Sequence, residues 1–252
     1  MNPVLRDSLR VFFVEGHGLP IYFYLLVILG PVEFLSLYMP TLGAQMWTGP
    51  GNLFAICASL AVLMIIYFAV RVANQEYAPR RFKPLEHWLR EAGHPAGVVA
   101  EGRVAFLVVN VAALALLCAP LLTWAAAIAR APLSALAATL ALILFHAFCY
   151  GVWGLVALVL WEREQETREV AIRCFIIFLA VASLVVYLPL NPVIYLLAIA
   201  GQRELEPFTI GALNWSADSF HLGFHLVLGG AGLATYRRAL GRRLEAASKN
   251  PI

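Results

Sequence analysis

Glu33 stands inside the apolar run "FYLLVILGPVEFLSLY" and is the only acidic residue that falls within a predicted span. A carboxylate at the bilayer centre costs roughly 2.5–3.5 kcal/mol on insertion scales. It is therefore expected to face a bundle interior or water, in substrate passage or in a structural hydrogen bond. His221 and His225 lie four residues apart in a second apolar run. On a helix this spacing puts both rings on one face, as two ligands of a metal ion would need, with Asp218 one turn earlier as a candidate third. Two ligands do not make a site, so no metal is predicted. The ordinary reading is hydrogen bonding to nearby carbonyls or the lining of a vestibule. His146 and Tyr150 repeat the spacing in another run and are expected to form interhelical hydrogen bonds.

Other chemistry is poorly provided for. In "WEREQETR", Glu162 and Glu164 are separated by Arg163, which is the wrong adjacency for a catalytic pair of glutamates. The alternating charge instead predicts a solvated helical extension with Glu164–Arg168 and Glu169–Arg173 pairs. No G-x-x-x-x-G-K-[ST] loop is present, so nucleotide is not expected to bind this chain. Cys57, Cys118, Cys149 and Cys174 are widely spaced without a C-x-x-C pair, and suggest neither zinc nor a disulfide framework.

The elements that carry these residues follow from composition. Of the 252 residues, 62% are apolar and 13% charged, against about 25% charged in a soluble domain. Several apolar runs reach the roughly 20 residues that a helix needs to cross the hydrocarbon core, and barrel-type alternation is absent. The expected fold is all-α: a polytopic membrane protein with six transmembrane helices, at about 20–40, 53–70, 104–128, 133–161, 174–190 and 219–236. Residues 3–16 read as an amphipathic interfacial helix, with Leu5, Leu9, Phe12 and Phe13 on one side and Arg6, Asp7 and Arg10 on the other. Charges spread through this segment exclude a cleavable signal peptide. Prolines 189 and 192 break the fifth span, and 193–218 forms an outer segment, re-entrant or loop. "GGAG" in the sixth span allows close helix approach. With no internal repeat or linker, 1–252 reads as a single domain.

Orientation follows from the cations. If both termini share a side, that side holds 16 of the 18 lysines and arginines, and only Arg130 and Arg203 lie opposite. Cationic loops are retained inside, so both termini are expected in the cytoplasm and the chain in the cytoplasmic (inner) membrane.

One cytoplasmic stretch, "PRRFKPLEHWLREAG" at 79–93, is anomalous between two hydrocarbon runs. Phe82, Leu85, Trp88 and Leu89 recur as one helical stripe opposite Arg80, Arg81, Lys83, Glu86, Arg90 and Glu91. Pro84 suits a first turn, and Gly93 followed by Pro95 a stop. Such a helix can lie in anionic headgroups or dock a soluble partner through its aromatic stripe, since Trp and Arg are enriched at interface hot spots.

The order of elements resembles the permease subunit of ABC-2 type transporters. That family leads from its second span into a glutamate-containing segment, a leucine-rich helix and a proline-containing turn with a basic residue before span three. Here these are "ANQE" with Glu76, "PLEHWL", and "GHPAGVVAEGR" ending at Arg103, while the family's Gly-Thr pair is replaced by "PRRFKP". The resemblance implies that 79–93 is a coupling helix resting on a separate ABC ATPase subunit through Arg80, Arg81, Phe82, Leu85, Trp88 and Leu89. It also implies a second cytoplasmic contact at Glu164 and Arg168; the residues themselves offer Glu33, His221 and His225 as candidates to line a pathway. The chain would be an exporter's permease, paired with a second permease copy in the lipid bilayer. It would not itself be an enzyme and would carry no cofactor, since ATP is used on the partner; no nucleic acid is expected. The Leu-, Ala- and Val-rich spans carry no charged lining, which argues against a small ion as cargo. The rival expectations are a membrane-embedded enzyme using Glu33, His221 and His225, and a structural subunit of a larger complex.

Overall fold

The computed structural model describes residues 1–38, 50–77, 81–210 and 213–249. Helix α3 (Leu53–Ala73) is its axis, apolar all round and buried along nearly its whole length, as a helix with no polar face must be. Around it pack α2 (Leu19–Tyr38), α4 (Ala96–Ala129), α5 (Leu133–Leu160) and the short α7 (Pro192–Ala200). At the α3–α5 crossing, a side chain at Gly154 would stand 2.3 Å from the carbonyl oxygen of Val70, so only glycine lets the two backbones meet.

The described residues are all-α apart from one short antiparallel strand pair, β1 (Phe208–Ile210) with β2 (Leu213–Trp215). Among the described residues, four helices are long and apolar enough to cross a membrane: α3, α4, α5 and α6 (Gln165–Val186). The bent pair Pro3–Val14 and Leu19–Leu35, meeting at 56°, makes a fifth if taken as one span. The last expected span lies in α8 (Ala217–Lys249) and falls outside this group: His221, His225 and four glycines make its uncharged 219–236 stretch less apolar than the other spans, and Asp218 and Arg237 bound it.

Several boundaries differ from expectation for physical reasons. The interfacial helix is α1 (Pro3–Leu9), capped by the Asn2 side chain and continued by a π-helical turn, Arg10–Val14. Its buried side is Val4, Ser8, Val11 and Phe12, while Leu5, Leu9 and Phe13 are half-buried. Helix α4 begins eight residues before the apolar run, because Arg103 is buried there rather than solvated. It ends at Arg130 in a left-handed conformation, and Pro132 caps α5 in the expected tight turn. Helix α6 starts within the second charged island and ends at Val186; a 3-10 turn (Leu188–Leu190) and the Asn191 cap then start α7. Exposed Ile177, Phe178, Val181 and Leu184 put α6 at the periphery. The "PTLGAQMWTGPGN" turn falls largely outside the described residues, and Arg80 wholly so.

Helices α5 and α8 run in the same direction. Contacts pair His146 with His221, Tyr150 with His225, and Trp153 with Leu228, each separated by 75 positions. Gly229 makes this possible: a side chain there would approach the Cys149 sulfur to 2.8 Å. The first glycine of "GGAG" is thus a point of close approach.

Candidate functional site

The constant register brings both i, i+4 pairs into one buried cluster. His146, His221 and His225 are all fully buried, and one ring nitrogen from each lies within 4.8 Å of the other two. Hydrogen bonds assign the protons. His221 Nδ1 contacts the carbonyl of Pro189 at 2.6 Å, and His225 Nδ1 contacts the carbonyl of His221 at 2.9 Å. A carbonyl only accepts, so both Nδ1 atoms carry hydrogen and both Nε2 atoms present lone pairs. His146 Nε2 lies 2.7 Å from His221 Nε2 and therefore donates to it. The other nitrogen of that ring, Nδ1, is buried without a partner among the described residues.

Around the rings sits a shell of aromatic groups. Tyr195 of α7 stacks on His221 with centroids 3.7 Å apart, and its hydroxyl donates to Asp218 at 2.8 Å. Tyr150 O–H donates to His225 Nε2 at 3.3 Å. Asp218, the residue considered as a third ligand, thus holds Tyr195, and the third imidazole comes from α5. The missing signal was the register between two helices, which the spacing within either does not contain.

Glu33 is placed apart from the histidines. Ile21, Leu25, Leu29 and Glu33 form the buried stripe of α2, so the carboxyl faces the bundle as expected. Neither oxygen has a hydrogen-bond partner among the described residues. Glu33 does not join the ligand cluster, so Glu33, His221 and His225 are not brought together as one constellation.

At the charged end, the surface segment turns its aromatic stripe inward. Phe82, Leu85, Trp88 and Leu89, the side chains expected to meet a partner, are buried within the chain itself. The periodicity identified the shared face correctly, but that face is occupied by the chain's own core. Outward lie Arg81, Lys83 and Glu91, with half-buried Glu86, His87 and Arg90. The helical part is short: a π-helical turn at His87–Glu91, ended by left-handed Gly93.

Two half-buried polar links, through Arg103 and Glu162, tie this segment to the bundle. Arg103 of α4 donates to the Lys83 carbonyl at 3.0 Å and to the Ser8 hydroxyl at 3.2 Å. With its amide oriented to accept, Gln75 receives both Nη atoms at 2.7 and 3.1 Å. The backbone N–H of Leu85 donates to the Glu162 carboxylate, which also accepts from Arg243 of α8 at 2.6 Å. Between surface segment and island lies a cleft of about 360 Å³, lined by Leu89, Arg90, Glu162, Arg163 and Arg243 among others. Glu86 bridges it, accepting from Arg163 at 2.7 Å and Arg90 at 2.9 Å. These guanidinium groups, Arg163 first, hold the Glu86 carboxyl below the usual carboxylate range.

The second island departs from the expected ion pairs. Glu169–Arg173 forms at 2.9 Å, but Arg168 is buried and donates to the Glu162 carbonyl instead of pairing with Glu164. Glu164 remains exposed at the start of α6. Comparison with family models, curated proteins and solved structures finds no match to this chain.

Proposed function

We propose that this chain is the permease subunit of an ABC-2 type transporter, with the charged end in the cytoplasm and α8 as its sixth span. It would act with a second permease copy, and ATP would be hydrolysed on a separate ABC ATPase subunit. The observation that carries the reading is the way the 81–91 segment is keyed into the bundle. Its aromatic underside is buried, and polar links join it to α4 and to the turn before α6, whose Glu162 is held in turn by Arg243 of α8. A helix that only floated in headgroups would have no use for such attachments, whereas one that transmits force must move with the spans.

In this reading the contact with the ATPase is made by the charged outer edge, and the aromatic stripe is the rigid mount beneath it. The spans would then respond as a unit, because Arg103 and Glu162 each connect the segment to more than one element. Export, rather than import, comes with the family resemblance.

The test is co-purification from native membranes under mild solubilisation, with partners identified by mass spectrometry. Wild type should bring down an ATP-binding subunit. Arg81→Glu combined with Glu91→Lys, two exposed positions, should lose it while the variant chain stays folded. Absence of any ATPase from an intact wild-type complex overturns the proposal, and retention by the double variant moves the contact elsewhere.

A further inference from the structure

We propose that His146, His221 and His225 form a metal site for zinc(II), clamping α5 to α8 inside the bundle. The inference is independent of the transport reading. Three imidazole nitrogens within 4.8 Å of one another are already close to what one ion requires. Zinc binds imidazole nitrogen at about 2.0–2.1 Å, so ligand nitrogens around a tetrahedral ion stand roughly 3.3 Å apart. His146 and His221 would open slightly from 2.7 Å, and His225 would close in.

The surroundings carry the argument further than proximity. Metal-binding histidines almost always donate their second N–H to a carbonyl or carboxylate, which fixes the tautomer and aims the lone pair. His221 does this to Pro189, and His225 does it to the carbonyl of His221. Tyr195, held by Asp218, stacks on His221 and fixes the ring plane. His146 alone is turned the other way, spending its N–H on His221 and leaving Nδ1 buried without a partner. Zinc binding moves that proton from Nε2 to Nδ1 of the same ring, so all three histidines stay neutral and no net proton is released. The His146–His221 and Tyr150–His225 hydrogen bonds are replaced by three metal–nitrogen bonds, and the Tyr150 hydroxyl keeps its proton.

Three imidazoles leave a fourth position, and the Tyr150 hydroxyl is nearby, 3.3 Å from His225 Nε2. Imidazole donors without thiolate suit zinc, copper or nickel, whereas calcium and magnesium prefer oxygen. The ligands come from two helices, so the ion links α5 to α8 at the level of Pro189, where α6 passes into α7. Metal occupancy would therefore control the packing of α8 on its neighbour.

The test uses the full chain purified in detergent without a polyhistidine tag, stripped by chelator and titrated with zinc chloride. The expected result is one zinc per chain, with an X-ray absorption spectrum showing imidazole nitrogen at about 2.0–2.1 Å. His146→Gln and His221→Gln should each weaken binding by about 100-fold or more. A chain with His17, His87 and His94 all changed to Gln, the remaining histidines, should bind as wild type. Failure of folded wild type to retain zinc overturns the proposal. So does a spectrum with fewer than three imidazoles, or binding lost only in the triple control. If the cluster variants fail to fold, the wild-type spectrum, with cobalt(II) substitution as a second reading of ligand geometry, decides the question alone.

Discussion

Arg103 reaches from within α4 to the carbonyl of Lys83, 3.0 Å from its Nη2, so a buried side chain holds the backbone of the surface segment. A guanidinium taken out of water usually meets a carboxylate. Here its acceptors are neutral: the carbonyl, the Ser8 hydroxyl and the Gln75 amide. Its planar fork of donors serves three directions at once, which a single ammonium cannot do. The N-terminal helix, the end of α3 and the surface segment all converge on this one group.

Arg103→Lys should therefore destabilise the chain. Lysine cannot satisfy the Lys83 carbonyl, Ser8 and Gln75 together, and each buried polar group left unpaired costs about 1–3 kcal/mol. The expected loss is of that order, read as a lower thermal midpoint in detergent. Hydrogen exchange should speed up locally at residues 85–91, whose mount has been loosened. Unchanged exchange there, with stability intact, would show that Arg103 does not hold the segment.

The two faces of the surface helix should separate in their effects. Trp88→Ala removes a buried indole and is expected to cost about 3–5 kcal/mol in stability. The Arg81→Glu, Glu91→Lys pair lies outside and should change stability by about 0.5 kcal/mol or less. Thermal unfolding of both variants, measured beside partner capture, distinguishes mount from contact. If Trp88→Ala is as stable as wild type, the inward direction of the stripe is wrong.

Glu86 gives the charged end a pH dependence. Its folded pKa lies below the unfolded carboxylate value of about 4.3 because Arg163 and Arg90 favour the ionised form. A depressed pKa contributes stability that is fully present above the unfolded value and lost as pH falls through the folded one. Acidification below about pH 4.3 should then weaken the bridge between surface segment and island. The measurement is the difference in thermal midpoint between wild type and Glu86→Gln. It should be greatest near neutrality and shrink toward zero in acid; a difference that grows in acid would contradict the assigned sign.

What could be read from the sequence was whatever a single helix contains. Apolar runs locate α3, α5 and the later part of α4, and Arg130 with Pro132 marks the turn between α4 and α5. Periodicity grouped Phe82, Leu85, Trp88 and Leu89, but a stripe does not say which body it faces, and here the chain's own core covers it. Likewise both pairs, His146 with Tyr150 and His221 with His225, were visible in isolation. Their union needed a parallel register between α5 and α8, set by the fit of Gly229 against Cys149. The early start of α4 was hidden for a related reason: Arg103 reads as solvent-facing until its buried acceptors are in place. Helix α6 began before its apolar run because the helical extension proposed for the charged island is continuous with the span.

Glycines at helix crossings make the last contrast. Gly154 and Gly230 both lie within helices, and replacing an exposed helical glycine with alanine ordinarily gains up to about 1 kcal/mol. Gly230 faces open space, so Gly230→Ala should be neutral or stabilising. At Gly154 the added carbon would lie 2.3 Å from the Val70 carbonyl oxygen and 2.9 Å from the Ala73 side chain. The first neighbour is backbone of the axial helix and cannot rotate away, so α3 and α5 must separate. Gly154→Ala is expected to destabilise by about 1–3 kcal/mol, as overpacking does. Thermal midpoints of the two variants in the same detergent should therefore move apart in opposite directions from wild type, or Gly154 alone should fall. Equal midpoints would mean that α3 and α5 do not cross at Gly154.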